Sequence, residues 1–463
     1  MLQLHLCALL LLLTLAGGFH NKPAAMRRTG GASALSALLP AERTDLDEFD
    51  IAFVRALGKV EIDVDDGLLA DAAQELLRMG ETELIMQPPD KGNSAGKLTS
   101  VRLFEGLIKK DNTRVLVKEF LPIGFSLGQR EQKTTKQLTE KWNGFQSNLE
   151  EKDNYEELQS YQVKPFFPIY VGSLRTTKEI ERYDYQSKWV SKFPFTKPPE
   201  RGHMWVLYLW DEASYKNLRY YPLIPQTIDL RDYFRPKVLL LKKRNFILKV
   251  MQRSLQALNY LHRSGYSHNA VLTPSIWLST FNDKDVDELY VKLTDLGATQ
   301  RFPSAEEKGK YIQEDLYQLG FVFLELIASS FSDNNLGART ARRAIAKQSK
   351  EDWKYFENME FMPGISNSPS QLRQSEWQAL YEDVCGSSFE ELRRFIQSTG
   401  MWMEACEMLE MRQGEAWKLV LYMLSRGQLF YESDGKTRVA VTTSFLLQEH
   451  KELFKYQDPY GSS

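Results

Sequence analysis

At 463 residues, with 43% hydrophobic and 26% charged side chains, the chain can form one large two-lobed domain with extensions, or two to three small domains, and its make-up is that of an ordinary folded protein. A formal net charge of −2 gives no reason to expect nucleic acid or an anionic membrane as a partner. The three cysteines, Cys7, Cys385 and Cys406, are too scattered for a metal-ligand spacing or a disulfide framework, and with Cys7 in a leader the remaining chain suits a reducing compartment.

The chain opens on an apolar run, Leu6 to Ala16, interrupted only by Thr14. It is too short to span a bilayer and fits the core of a signal peptide over 1–18, with small residues Ala16-Gly17-Gly18 ahead of Phe19. The leading residues lack the usual Lys or Arg. Residues 19–41 carry no acid, hold Lys22, Arg27 and Arg28, and are rich in small residues, which is transit-peptide composition. The pair resembles the bipartite presequences that direct proteins into complex plastids. That resemblance implies plastid import, with secretion or an endomembrane lumen as the alternative, and no membrane-spanning segment is expected in the mature chain.

A helical extension is predicted over 42–87. Acidic residues 42–50 would form its entry, and Asp66 would cap a helix with Leu68, Leu69, Ala72, Ala73, Leu76 and Leu77 on one face, ending near Gly80. Pro88-Pro89-Asp90 breaks the chain. Strand patterns follow at 100–108 and 114–120, joined by the turn-forming Lys109-Lys110-Asp111-Asn112. A polar helix is expected from Gly128 to Trp142, then strands at 167–174 and 204–210, with a surface loop over 175–202 between them.

From Leu230 the pattern turns helical. Ile247, Met251, Leu255, Leu258 and Leu261 make one apolar helix face. Short strands are expected at 276–278 and 290–294, a buried helix from Leu316 to Ala328, and a tail over 451–463 that frays after Tyr456. The expected class is α+β: a small lobe (88–212) with a mainly antiparallel sheet and a large, mainly helical lobe (213–450). There is no internal repeat.

The chemistry-bearing residues fall along this frame. Phosphoryl transfer needs a close cover over the phosphates, a lysine held by a carboxylate, a second carboxylate for Mg²⁺ and a base for the hydroxyl proton. Val115-Leu116-Val117-Lys118 resembles the third-strand V-A-I-K motif of the protein kinases, and Glu131 (or Glu140) stands where the family has its helical glutamate. Upstream, the glycine-rich frame falls on Ser94, Gly96, Thr99 and Val101, so only its middle glycine remains. His268-Asn269-Ala270-Val271-Leu272-Thr273-Pro274-Ser275-Ile276-Trp277-Leu278 lies along H-R-D-x-K-x-x-N-I-L-L, and Asp295-Leu296-Gly297 matches D-F-G. Asp315, on the apolar helix, matches the aspartate that clamps the catalytic loop. It follows Asp295 by only 20 positions, and no A-P-E motif lies between them.

The resemblance covers about residues 90–450 and implies roles position by position. Gly96, Val101, Lys118, Glu131 and Asp295 would contact ATP, Asp295 and Ser275 would hold Mg²⁺, and His268, Gly297 and Asp315 would be structural. The catalytic aspartate, lysine and asparagine are replaced by Ala270, Leu272 and Ser275, and Leu116 replaces the small residue against the adenine. The implied function is a catalytically impaired pseudokinase, a regulatory or scaffolding module for a protein partner, with ATP and Mg²⁺ as the implied cofactors. The alternative is an active but atypical Ser/Thr kinase in which Asp295 or an acid of 283–288 replaces the missing base.

Overall fold

The computed structural model describes residues 42–63, 98–121, 125–150, 164–223, 232, 234–331, 376–398, 402–426, 430–431, 438–439 and 441–460. The leader, the helix expected from Asp66 to Gly80 and the turn containing Gly96 fall outside them.

The described residues form a mixed α+β structure. Its main sheet has five antiparallel strands in the order β1-β2-β3-β5-β4: β1 (Ile51–Asp63), β2 (Leu98–Ile108), β3 (Thr113–Phe120), β4 (Tyr170–Arg175) and β5 (Met204–Leu209). The β2–β3 hairpin turns where the sequence expects it. Asn112 takes a left-handed conformation (φ 58°), which Asn tolerates, and Asp111 accepts from the Thr113 amide at 3.0 Å.

Both faces of this sheet are buried, so alternate residues of β3 enter different cores. Val115 and Val117 join Phe104, Val171, Trp205 and Leu207 on one side; Leu116 and Phe120 join Val101, Leu103, Val206 and Tyr208 on the other. The second face is covered by helix α1 (Phe125–Glu150), which contributes Leu127.

The first face is covered by two segments that the sequence reading assigned otherwise. The predicted helical extension over 42–87 is corrected in its described part: after a short 3-10 turn at Glu48–Asp50, residues 51–63 are an edge strand. Ile51 and Phe53 alternate inward, and the ring of Phe53 meets Phe104, Trp189 and Trp205 edge-on at 5.0–5.1 Å. Tertiary burial of these side chains overrides the helix preference of neighbouring Ala and Leu. The predicted surface loop over 175–202 holds a 3-10 turn (Lys178–Glu181) and helix α2 (Tyr183–Lys192), with Ile180, Trp189 and Phe193 in the core.

The remaining chain is mainly helical. Helix α3 (Pro236–Arg263) opens on a proline, whose missing amide proton costs nothing in the first turn. Helix α4 (Lys308–Ser330) is buried along most of its length, as its apolar sequence predicts. Between them lie β6 (Tyr266–Ser267) paired with β9 (Gln300–Arg301), and β7 (Ile276–Leu278) paired with β8 (Val291–Leu293). Helices α5 (Glu376–Ala379), α6 (Phe389–Ser398), α7 (Met403–Leu409), α8 (Met411–Leu424) and α9 (Thr443–Glu449), with the small β10–β11 pair (Phe430–Tyr431, Arg438–Val439), complete the described chain.

The predicted fraying after Tyr456 is also corrected. Gln457 exchanges hydrogen bonds with Asn245, and the Tyr460 hydroxyl lies 2.7 Å from Lys242 Nζ and 3.0 Å from Asp232. Among the described residues no helix is long and apolar enough to cross a membrane.

Candidate functional site

Three elements far apart in sequence bring one lysine and two carboxylates together. Lys118 projects from β3 on the α1 side of the sheet. Its Nζ lies 2.8 Å from both carboxylate oxygens of Glu131 on α1, and 2.7 Å from Asp295 Oδ1 in the turn after β8. The Tyr208 hydroxyl on β5 donates to Glu131 Oε1 at 2.8 Å. Burial opposes the charge on Lys118, but Asp295 and Glu131 outweigh it and hold the ammonium above its ordinary range. Burial raises the Glu131 carboxyl and nearby Asp295 adds to the rise, which Lys118 and Tyr208 only partly offset. One cation therefore serves two acids.

Asp295 reaches Lys118 from a left-handed backbone (φ 60°, ψ 41°), a conformation that Asp adopts more readily than most residues. The chain then makes a 3-10 turn, Leu296–Ala298, against the start of α1. Gly297 is required there, because a Cβ would lie 2.7 Å from the Leu127 carbonyl oxygen.

The loop between β6 and β7 is fixed from below by α4. Asp315 accepts from the amides of His268 and Asn269, each at 2.7 Å, and contacts His262 Nε2 at 2.9 Å. His268 donates from Nε2 to the Thr294 carbonyl at 2.9 Å and accepts from the Ala270 amide on Nδ1 at 3.3 Å. That pattern is the neutral ring, and burial lowers the pKa of His268 to match. Gln318 on α4 accepts from the Val271 amide at 2.8 Å. The loop backbone is held by these hydrogen bonds, yet the residue two past His268 is Ala270, with no group to accept a proton. Ala270 and Leu272 are both buried.

The predicted site residues thus divide. Lys118, Glu131 and Asp295 come together; His268, Gly297 and Asp315 order the loops around them; Val101 is fully buried in the sheet core; Gly96 lies outside the described residues. Ser275, predicted to share Mg²⁺ with Asp295, is turned to its own loop. Its hydroxyl donates to the Leu272 carbonyl at 2.7 Å and accepts the Leu272 amide at 2.9 Å, because a short hydroxyl side chain readily closes a local turn. Among the described residues there is no group of three His, Cys, Asp or Glu side chains placed to hold a metal. Among the acids of 283–288, Asp283 is buried and accepts from the Tyr221 hydroxyl.

Sequence reasoning missed Tyr208 and Trp277. Tyr208 lies two positions from the Trp210 end of the predicted strand 204–210, so strand alternation could have placed it on the Lys118 side. Trp277 stands where the quoted motif has Leu, and it is buried with Val101, Leu103 and Leu116. A second buried cluster was also missed: Glu119, next to Lys118 but facing the opposite way, pairs with Arg102, His203 Nδ1 (2.9 Å) and Trp205 Nε1 (3.1 Å). No protein-family model matches the sequence, and neither does any curated protein.

Proposed function

We propose that the chain is a catalytically impaired member of the protein kinase superfamily, acting as a regulatory or scaffolding module for a protein partner. In this reading the five-stranded sheet with α1 is the small lobe, and α3, α4 and the later helices are the large lobe. One observation carries the proposal: Lys118 is held by Glu131 and Asp295, 2.8 and 2.7 Å away, while position 270 in the loop clamped by Asp315 is alanine. The ordering machinery is present and the proton acceptor is missing. Loss of a positioned base typically costs about 10²–10⁴-fold, and loss of an electrostatic stabiliser such as the lysine replaced by Leu272 about 10²–10³-fold.

The test is phosphate transfer from radiolabelled ATP by the purified protein and by Asp295→Ala. No transfer by either is expected. Transfer that the substitution abolishes would replace this reading with that of an active, atypical kinase. Plastid import is proposed from the presequence; a reporter fused to residues 1–45 should enter the plastid, and reporter found in the medium would sink it.

A further inference from the structure

We infer that this module works without nucleotide, because its own side chains occupy the place that a nucleotide would take. The inference rests on the kinase-like reading above and concerns the same site.

The base would lie between β2, β3 and the short β7. There the structure places Trp277, only 5% exposed, in one buried cluster with Val101 and Leu103 of β2, Leu116 of β3, Tyr208 of β5 and Leu127 of α1. The quoted family motifs have Ala at 116 and Leu at 277, so both positions carry a larger side chain here. Protein interiors are packed to crystal density, and a planar base could enter only by displacing the indole from its buried position. The backbone on either side of Trp277 is tied to residues 216 and 217. Leu278 N donates to the Lys216 carbonyl at 2.8 Å, Lys216 Nζ to the Ser279 carbonyl at 2.6 Å, and Asn217 Nδ2 to the Pro274 carbonyl at 3.0 Å.

The phosphate end keeps its pairing: Lys118 lies 2.8 Å from Glu131, the kind of partner that orients a phosphate-binding lysine, and 2.7 Å from Asp295, so the obstruction is at the base end.

The experiment is thermal unfolding with millimolar ATP, in Mg²⁺ and in EDTA, of the wild type and of Leu116→Ala/Trp277→Leu. The wild type should not shift under either condition, and the double variant should gain about 2 °C or more once the base can enter. A wild-type shift of that size overturns the inference and leaves the kinase-like reading standing. A double variant that keeps the wild-type circular dichroism spectrum but does not shift overturns both, because no base site then lies behind those side chains. If the double variant does not fold, hydrogen exchange of the wild type decides. Unchanged exchange at 115–118 and 276–278 on adding ATP supports the inference, and protection there overturns it.

Discussion

Lys118 Nζ lies 2.7 Å from Asp295 Oδ1, a contact between residues 177 positions apart that ties the middle of the sheet to the turn after β8. Only a folded chain brings them together, so the pair and its partner Glu131 should report directly on stability.

Lys118→Met leaves Glu131 and Asp295 close together without their shared cation. Breaking a buried ion pair from one side costs about 3–5 kcal/mol, and urea unfolding should show a loss of that order. Adding Glu131→Gln and Asp295→Asn should recover much of it, because an uncharged trio no longer buries unpaired charge. A triple variant as unstable as Lys118→Met would show that shape, not charge, holds the site.

Asp315→Ala removes the acceptor of the His268 and Asn269 amides and the partner of His262. Hydrogen bonds to a buried charge are worth about 1.5–3 kcal/mol each and are not additive, so a total loss of about 3–5 kcal/mol is expected. Protease nicking or hydrogen exchange should rise first at 268–275, the segment that Asp315 organises.

Asp283 gives a pH test with a definite sign. Burial lifts its carboxyl from 3.8 to about 6, despite the hydrogen bond from Tyr221 and the nearby Lys243. Between those values the folded state binds more protons than the unfolded one, so this group makes stability fall as pH rises through that window. Asp283→Asn should therefore be more stable than wild type near pH 8 by about 1–3 kcal/mol, and the difference should vanish near pH 4. Denaturant titrations at the two pH values check it; equal stabilities at both would mean the carboxylate is better solvated than its burial implies.

Trp189→Ala should cost about 3–5 kcal/mol, because the buried indole is packed against Phe53, Phe104 and Phe193 and its removal leaves a cavity among them. Phe195, a few residues on and fully exposed, should change thermal stability by less than about 0.5 kcal/mol when replaced by Ser. Together the two substitutions ask whether the 175–202 segment is part of the core or an ornament on it.

What could be read from the sequence was mostly local. The β2–β3 hairpin announces itself through alternation and the Asp111-Asn112 turn, and α4 through an apolar run too long for a strand. Lys118 and Asp295 could be placed in one site because each sits in a short recognisable motif, whereas Glu131 was chosen over Glu140 only by its spacing from Lys118 on a predicted helix. What escaped depends on distant partners. Ile51 and Phe53 look helical beside Ala52, Ala56 and Leu57 until Phe104 and Trp205 are there to receive them. Tyr185, Trp189 and Phe193 recur every four residues, a helix signal hidden among charged and proline neighbours. Trp277 was visible as a departure from its motif, but only packing against Leu116 and Val101 gives it meaning. Ser275 was assigned by position alone, and position says nothing of where a hydroxyl turns.

Lys118 and Glu119 are adjacent, point to opposite faces, and are each buried among opposite charges. If β3 slipped by one place against its neighbours, an ammonium would enter the pocket of Arg102 and His203 and a carboxylate would face Glu131 and Asp295. Both misplacements repel, so this dipeptide acts as a two-sided key that rejects the wrong strand alignment while the sheet assembles.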